Sequence, residues 1–542
     1  MRKPSLKLSL IINNLRLHSV KYIMLTVIAL VAVLFIVSDT SVLFHQAAPA
    51  SHSSDFPISD NGISHETGKS APHENPPARE NSEPPADNEQ PDELTGELSD
   101  KQPGELPDAE PVPDWVGKVN GFNINFDRLI KRDAGNGRLV AMHEYFASLE
   151  PGGQNEKTGI FEGYNLITIS AEALTSYAID PELTPTLYKM QHEGFYFENY
   201  YAIYGGGTIS GELGLISGLA PQGGHRWCNN AARKYMPFSF ASQFNALGIQ
   251  PYAYHNGTYT FYDRNIMFPN LGYIFRARRQ GMDFRGPGWH MSDKALIELS
   301  IDQYIDEERF YVHYMTVSGH SPYGWENGVA RQNRAAVDHL RYSTSVKAYL
   351  ATQMELEYAM EYLLERLEEK GIAERTLIVM TTDHYPYGLT TRENAELAGQ
   401  PFDSDFGMHK NACIIYVKGM EPETISAPSF TPDIVPTVSN LLGLPFDSRF
   451  LSGRDVFSDE MPLVFLACGF ITDAGYYERR RGKFTPFDGA EVPEGYISEI
   501  SDIVNKRKTA VDRIIELNYF TKIADYLVPP FEILKWREVI PE

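Results

Sequence analysis

The chain has 542 residues, of which 42 % are hydrophobic and 12 % aromatic, and 48 Lys and Arg against 71 Asp and Glu give a formal charge of −23. This length allows a full hydrophobic core, and the aromatic content excludes a chain that is disordered throughout. The acidic balance argues against a nucleic-acid partner, because neutralising phosphates requires a basic face. Three scattered cysteines, Cys228, Cys413 and Cys468, match neither a disulfide framework nor a thiolate metal site.

The first element in chain order is an apolar segment, which we predict to be a transmembrane anchor over residues 21–44. Residues 22–38 carry no charge, and at about 1.5 Å per residue the whole segment covers the ~30 Å hydrocarbon thickness of a bilayer. Basic side chains precede it, which places residues 1–20 in the cytoplasm. The alternative is a cleavable signal peptide that ends near Ala-Pro-Ala at 48–50. Under both interpretations the rest of the chain lies outside the cytoplasm.

Residues 45–114 are rich in proline, serine and acidic side chains. Such a composition cannot bury enough apolar surface to fold, so we predict a disordered extracytoplasmic tether. The alternative is an acidic domain in its own right.

From residue 115 onward the pattern is that of a mixed α/β chain. A stretch without Pro or Gly, Ala335–Lys370, has helical spacing of its apolar residues. Strands that alternate with helices predict a mainly parallel sheet covered on both faces, with ligands bound beyond the carboxyl ends of the strands. The predicted strands are Asn165–Ile169, Gln250–Tyr254, Phe310–Val317, Thr376–Thr382 and Ala412–Val417.

We divide this part into a lead-in segment at 115–160, a catalytic domain at 161–460 and a C-terminal part at 461–542. In the last part, Pro462–Phe470 has the pattern of a strand. Gly495–Leu527 has the pattern of one or two closing amphipathic helices.

Three predicted strands end in side chains that could hold a metal ion or a phosphate. Glu172 follows the first, His320 the third, and Asp383 with His384 the fourth. Carboxylates and imidazoles form a hard ligand set that suits Mn²⁺, Mg²⁺ or Zn²⁺. Taken singly, each of these residues is more often a helix cap or a surface histidine. The prediction of a site therefore depends on their common position at strand ends.

A glycine-rich segment supplies a candidate nucleophile. Three glycines at 205–207 precede Thr208 and then an apolar, helix-like run. Backbone amides at such a helix start can approach an anion, and a threonine hydroxyl becomes a nucleophile when a metal or base lowers its pKa. The alternative is an ordinary tight turn followed by a capping hydroxyl.

Taken together, these motifs resemble the alkaline phosphatase/sulfatase superfamily, and within it the lipoteichoic acid synthase branch of phosphoglycerol transferases. The resemblance extends from about residue 160 to residue 460. The segments that carry it are Asn-Leu-Ile-Thr-Ile-Ser-Ala-Glu172, Gly-Gly-Thr208, Thr-Val-Ser-Gly-His320, Thr-Thr-Asp383-His384, Thr431–Thr437 and Gly453–Phe457.

The resemblance implies an α/β/α sandwich with one divalent metal ion, most often Mn²⁺, with Mg²⁺ or Zn²⁺ as alternatives. The implied metal ligands are Glu172, Thr208, Asp383 and His384. Thr208 is the implied nucleophile, and His320 would contact the phosphate and assist proton transfer. The implied substrate-binding residues are His255, Tyr262, Arg264 and His320.

Two positions depart from the pattern of the branch. Its members commonly have Trp where this chain has Tyr262, and an acidic residue where this chain has Gly257. Polymerising members also usually have about five membrane spans, whereas this sequence predicts one.

The function implied by the resemblance is phosphoglycerol transfer from a membrane phospholipid, such as phosphatidylglycerol, to a hydroxyl of a glycolipid or glycan through a phosphothreonine-type intermediate. The enzyme would be a single-pass membrane protein with an extracellular catalytic domain.

Alternatives within the superfamily are a phosphoethanolamine transferase, a sulfatase or a phosphodiesterase-type hydrolase. No cysteine stands in the Cys-x-Pro-Ser-Arg context of sulfatases. A non-catalytic surface binding protein is a further alternative.

His409 and Asp433 are two further polar residues with candidate roles. His409 could serve as a second metal ligand, although a residue without that role is the preferred interpretation. Asp433 is predicted to cap a helix rather than to bind a metal.

Overall fold

The computed structural model describes residues 115–204, 207–284, 292–402 and 404–527. The predicted cytoplasmic segment, anchor and tether at 1–114 lie outside these ranges. Within them, no helix combines the length and the apolar character that crossing a bilayer requires.

Strands and helices alternate along most of the described chain. The strands are β1 Asn165–Ala171, β2 Phe195–Phe197, β3 Tyr200–Tyr201, β4 Pro251–Thr258, β5 Ile274–Arg278, β6 Gly281–Met282, β7 Tyr311–Met315, β8 Thr376–Thr382, β9 Cys413–Tyr416, β10 Glu423–Ile425, β11 Ser429–Phe430, β12 Val464–Leu466, β13 Gly469–Ile471, β14 Gly475–Glu478 and β15 Lys483–Pro486. The helices are α1 Phe126–Arg132, α2 Gly137–Ala147, α3 Pro185–His192, α4 Thr208–Ser217, α5 Gly224–Ala231, α6 Phe240–Ala246, α7 Arg264–Asn270, α8 Asp293–Ser300, α9 Gly328–Gln332, α10 Arg334–Val337, α11 Thr344–Glu369, α12 Thr391–Leu397, α13 Ile434–Leu441, α14 Tyr496–Leu517, α15 Tyr519–Lys522 and α16 Ala524–Leu527.

The central sheet has the strand order β10-β2-β9-β8-β1-β7-β4-β5-β6 in the described part of the chain. β1 lies in its middle and pairs in parallel with both β7 and β8, so that Ile169 lies between Tyr314 and Met380. β9 is antiparallel to its neighbours β2 and β8, whereas the remaining pairs are parallel. The prediction of a mainly parallel sheet is therefore confirmed.

Both faces of this sheet are buried. In β8 all seven residues are buried, and alternate side chains enter two different hydrophobic cores. Leu377 and Val379 belong to the first core, whereas Ile378 and Met380 belong to the second. The first core also contains apolar residues of α4, α13 and α14, and the second contains those of α3, α8 and α11. This arrangement is the expected α/β/α sandwich.

The long predicted helix is interrupted before α11. Residues 334–337 form the short helix α10, and α11 begins only at Thr344. The backbone N–H of Ser343 donates to the side chain of Glu396 at 2.6 Å, so a tertiary contact holds this residue outside the helical hydrogen-bond pattern. Ser343 then precedes the helix as its N-cap residue, although its hydroxyl makes no capping hydrogen bond.

The predicted strand Pro462–Phe470 is a hairpin instead. β12 and β13 pair in antiparallel fashion, with Leu466 opposite Gly469 across a two-residue turn. The turn folds Phe465 and Phe470 into a small separate core beneath a four-stranded antiparallel sheet. Over Gly495–Leu527, where one or two closing helices were predicted, the structure has three, namely α14, α15 and α16. The domain boundaries at 160 and 460 remain predictions.

Candidate active site

A cluster of potential metal ligands lies at the carboxyl ends of β1 and β8. Glu172 directly follows β1, and Asp383 with His384 directly follows β8. Because these two strands are parallel neighbours, their ends meet at one edge of the sheet. Nε2 of His384 lies 3.1 Å from Oδ2 of Asp383 and 3.6 Å from Oε1 of Glu172.

Backbone contacts orient the cluster. Oδ1 of Asp383 accepts the N–H groups of Ala173 and His384, at 2.8 and 2.9 Å, which directs Oδ2 to the other two ligands. Nδ1 of His384 lies 2.9 Å from the carbonyl of Tyr385. A carbonyl can only accept, so Nδ1 carries the proton and Nε2 is the basic nitrogen.

The electrostatics of the cluster fit a cation. Glu172 and Asp383 are buried, and burial together with the neighbouring Asp383 carboxylate raises the pKa of Glu172 well above its ordinary value. Among the described residues, no hydrogen-bond donor reaches the buried Oδ2 of Asp383. One ligand atom from each of Glu172, Asp383 and His384 lies within 4.8 Å of the others. Two buried carboxylates and an imidazole suit Mn²⁺, Mg²⁺ or Zn²⁺.

The predicted nucleophile lies beside this cluster. Thr208 is the first residue of α4, and its Oγ1 lies 3.3 Å from Nε2 of His384. Its hydroxyl is therefore close enough to share a cation with the three other ligands.

The predicted substrate-binding residues line a cavity of about 470 Å³ next to Thr208. The structure thus brings the predicted metal, catalytic and substrate-binding residues into one site. The cavity is lined by Glu172, Thr208, His255, Gly257, Thr258, Phe261, Tyr262, Arg264, Met315, Val317 and His320.

The two cavity histidines are held in the same tautomer. Nδ1 of His255 donates to the carbonyl of Met315 at 2.9 Å, and Nδ1 of His320 donates to that of Ser321 at 2.6 Å. Burial, with a smaller effect of the nearby Arg264 charge, lowers the pKa of His255 to about 3. Burial also lowers the pKa of His320. Both rings are therefore neutral near pH 7, with Nε2 as the basic nitrogen.

Arg264 begins α7, directly after a strained turn. Tyr262 and Asp263 both have left-handed backbone conformations, with φ of 60° and 55°, which are uncommon for residues other than glycine. The turn places the Tyr262 ring over the guanidinium, with Cζ of Arg264 5.2 Å from the ring centroid. The Nε of Arg264 donates to both carboxylate oxygens of Glu212.

Comparison with known proteins agrees with this geometry. The family model described as "Sulfatase" matches residues 168–444, a segment that contains the whole ligand cluster. The chain belongs to the sulfatase family. The resemblance predicted from the motifs is confirmed.

The curated relatives of this sulfatase-family chain carry names from one branch. It is 26 % identical over 384 residues to lipoteichoic acid synthase 2 of Bacillus subtilis, covering 66 % of this chain and 57 % of the relative. It is 24 % identical to the lipoteichoic acid synthase-like protein YvgJ of the same organism, covering 60 % and 55 %. The chain thus spans a little over half the length of these relatives.

A solved structure shares the fold. The lipoteichoic acid synthase LtaP from Listeria monocytogenes superposes with a TM-score of 0.55 at 18 % identity. The superposition covers 72 % of this chain and 98 % of that structure.

Three buried polar residues near this sulfatase-family site were missed from the sequence: Glu212, Asp293 and His313. Asp293 accepts hydrogen bonds from the Asn256 side chain and from the backbone N–H groups of Val317 and Ser318. It therefore ties the residue after His255 to the loop that carries His320. For Glu212, the available signal was a single charged residue in the otherwise uncharged segment Thr208–Ser217.

The two remaining candidates lie apart from the ligand cluster. His409 contributes no atom to the group formed by Glu172, Asp383 and His384, and its ring packs edge-on against Tyr385 at 5.3 Å. Asp433 accepts the backbone N–H groups of Phe430 and Arg454. Asp433 is the N-cap residue of α13 by position, but its side chain makes no capping hydrogen bond to that helix. Its carboxylate instead connects the short helical turn 431–433 to a neighbouring loop.

Proposed function

We propose that this chain is a metal-dependent phosphoglycerol transferase of the cell envelope, anchored in the membrane with its catalytic domain outside the cell. The donor would be a glycerophospholipid such as phosphatidylglycerol, and the acceptor a hydroxyl of a glycolipid or glycan. The observation that carries the proposal is the position of Thr208, whose Oγ1 lies 3.3 Å from Nε2 of His384, beside the cavity that Arg264 lines. The names of the curated relatives support the same activity.

Glu172, Asp383 and His384, together with Thr208, would hold a divalent cation. When bound, the cation lowers the pKa of the threonine hydroxyl and offsets the charge of the phosphodiester. The geometry of these ligands does not distinguish among Mn²⁺, Mg²⁺ and Zn²⁺. We propose Mn²⁺ because the family resemblance implies it.

In the first half-reaction, Oγ1 of Thr208 attacks phosphorus and loses its proton. The bond from phosphorus to the diacylglycerol oxygen breaks, that oxygen takes up a proton, and diacylglycerol leaves. A glycerophosphoryl ester on Thr208 remains. Arg264 would bind the phosphate oxygens, and Nε2 of the neutral His320 would take up the proton from the Thr208 hydroxyl and pass it to the diacylglycerol oxygen.

In the second half-reaction, the acceptor hydroxyl attacks the same phosphorus and transfers its proton to a base in the cavity. The bond from phosphorus to Oγ1 of Thr208 breaks, and the threonine hydroxyl is restored. Splitting the transfer into two displacements lets the bulky lipid product leave before the acceptor enters.

The experiment that tests the proposal uses the full-length protein in detergent micelles with Mn²⁺ and labelled phosphatidylglycerol, without acceptor. We expect release of diacylglycerol and a glycerophosphate adduct on Thr208, detected by mass spectrometry. Thr208→Ala should abolish both. Thr258→Ala, which removes the other threonine hydroxyl of the cavity wall, is the matched control and should keep the adduct. An adduct on another residue, or full turnover by Thr208→Ala, would contradict the assignment.

A further inference from the structure

Arg264 and Glu212 form an ion pair that is closed off from solvent. Their side chains are 1 % and 0 % exposed. Nε of Arg264 lies 2.8 and 3.2 Å from the two oxygens of Glu212, and Nε2 of the buried His313 lies 3.6 Å from Glu212. Burial raises the pKa of Glu212, but the Arg264 charge and His313 outweigh it, so that the net pKa is lowered and the carboxylate is ionised.

The pair leaves one end of the guanidinium available. Nη2 of Arg264 is buried and has no hydrogen-bond partner among the described residues, and Nη1 reaches only the carbonyl of Phe261, at 3.5 Å. Arg264 lines the cavity, whereas Glu212 does not. The Glu212 contact uses Nε, so the two Nη groups are the donors that it leaves for a ligand in the cavity.

Glu212 also belongs to the nucleophile helix. It follows Thr208 by four residues in α4, and residues at this spacing lie on the same face of a helix, one turn apart. One helix thus carries both the hydroxyl that would attack phosphorus and the carboxylate that orients the arginine.

We propose that Glu212 is a positioning residue, which holds the guanidinium of Arg264 with its Nη groups toward the phosphate of the donor and at a fixed place relative to Thr208. This inference rests on the proposed function. A purely stabilising role explains the pair less well, because the desolvation of two buried charges largely cancels their attraction. A fixed geometry for bidentate binding of phosphate explains why both charges are retained.

The direction in which anion affinity changes when Glu212 is removed separates a positioning role from simple electrostatics. Glu212 is a negative charge close to an anion site, so its removal should tighten anion binding if only charge mattered. If Glu212 positions Arg264, its removal should weaken anion binding instead.

The test measures binding of inorganic phosphate to the Mn²⁺-loaded full-length protein by calorimetry. We expect Glu212→Gln to weaken phosphate binding by about tenfold, and to cause no further loss in an Arg264→Ala background, since Glu212 acts through Arg264. Glu357→Gln is the matched control: Glu357 is also buried, but it accepts the N–H groups of Thr186 and Leu187, in α3. This control should leave phosphate binding unchanged.

A second variant keeps the test informative if Glu212→Gln does not fold. Arg264→Lys retains the opposite charge next to Glu212 but lacks the planar fork, so we expect phosphate binding to weaken while the melting temperature is largely kept. The inference would be overturned if phosphate binding were unchanged or tighter in Glu212→Gln, or if the loss were equal in the wild-type and Arg264→Ala backgrounds. It would also be overturned by wild-type phosphate affinity in Arg264→Lys, or by a wild type that does not bind phosphate. Failure of the proposed function is a separate result, namely phosphate binding that depends on Glu212 without any adduct from phosphatidylglycerol.

Discussion

Gly211 packs so closely against the backbone of Asp383 that a β-carbon at position 211 would overlap the Asp383 carbonyl. This contact brings the first turn of α4 against the end of β8, where the candidate metal ligands lie. The distance from Thr208 to His384 therefore depends on the absence of a side chain one turn further along the helix.

The first prediction follows from this contact. Gly211→Ala should push α4 away from β8, separate Thr208 from the ligand cluster and lower turnover by at least about tenfold, because a displacement near 1 Å can cost that much or more. Gly137→Ala is the control, since a β-carbon there would meet nothing within 4 Å and the residue begins the helix α2. Equal activities of the two variants in the diacylglycerol-release assay would contradict the role of the contact.

The ligand cluster could be predicted from the sequence because each of its members is tied to a local pattern. Glu172, Asp383 and His384 directly follow apolar, β-branched runs, and Thr208 follows three glycines. In a parallel sheet the chain order alone places the ends of such strands at one edge. Side chains that lie at those ends must then come close together without any knowledge of the loops.

Glu212 and His313 could not be assigned a role in this way. Their partners, Arg264 and Thr168, lie 52 and 145 residues away in the chain. Glu212 and Arg264 belong to two different helices, whereas Thr168 and His313 lie opposite each other on β1 and β7, so both pairings depend on tertiary packing. The break before Thr344 likewise coincides with a contact to a distant residue, Glu396. Local patterns indicate strands, turns and their ends, whereas tertiary contacts decide which buried polar groups become partners.

The second prediction concerns the metal. After chelation and dialysis, Mn²⁺ added to the wild type should raise its melting temperature, since a ligand at a hundred times its Kd stabilises a fold by about 2.7 kcal/mol. Asp383→Ala should lose this rise, because Oδ2 of Asp383 would be a ligand. His409→Ala should keep it, because His409 lies outside the cluster. If His409→Ala lost the Mn²⁺-dependent rise in melting temperature as fully as Asp383→Ala, His409 would have to be counted as a metal ligand.

The third prediction concerns Gly257, one of the two positions where the sequence departs from the pattern that the resemblance implies. A β-carbon here would overlap Nε2 of His255, so this cavity cannot accept a side chain at 257 without moving the histidine. Gly257→Ala should therefore lower kcat/KM for the lipid donor by about tenfold and cost about 1–3 kcal/mol of stability. Gly328→Ala, at a position where a β-carbon meets nothing within 4 Å, is the control. Unchanged kinetics in Gly257→Ala would show that His255 can move without loss.

The last prediction is a pH dependence of stability that comes from Asp433. Burial raises the pKa of Asp433 from its ordinary value of 3.8 to about 7, although the Arg454 charge and two backbone N–H groups partly offset this effect. Because the folded state binds this proton more tightly than the unfolded chain, the contribution of Asp433 to the free energy of unfolding falls as the pH rises from about 4 to about 7. A shift of this size corresponds to about 4 kcal/mol.

Asp433→Asn removes this titration while it keeps one acceptor for the backbone of Phe430 or Arg454. The stability advantage of the wild type over Asp433→Asn, measured by urea unfolding, should therefore be largest near pH 4 and shrink towards pH 8. Other buried acids, such as Asp293 and Asp455, with pKa values raised to about 6 by burial, are common to both proteins and cancel in the difference. A constant difference for Asp433→Asn would mean that Asp433 is ionised in the folded protein across the whole range, held so by Arg454.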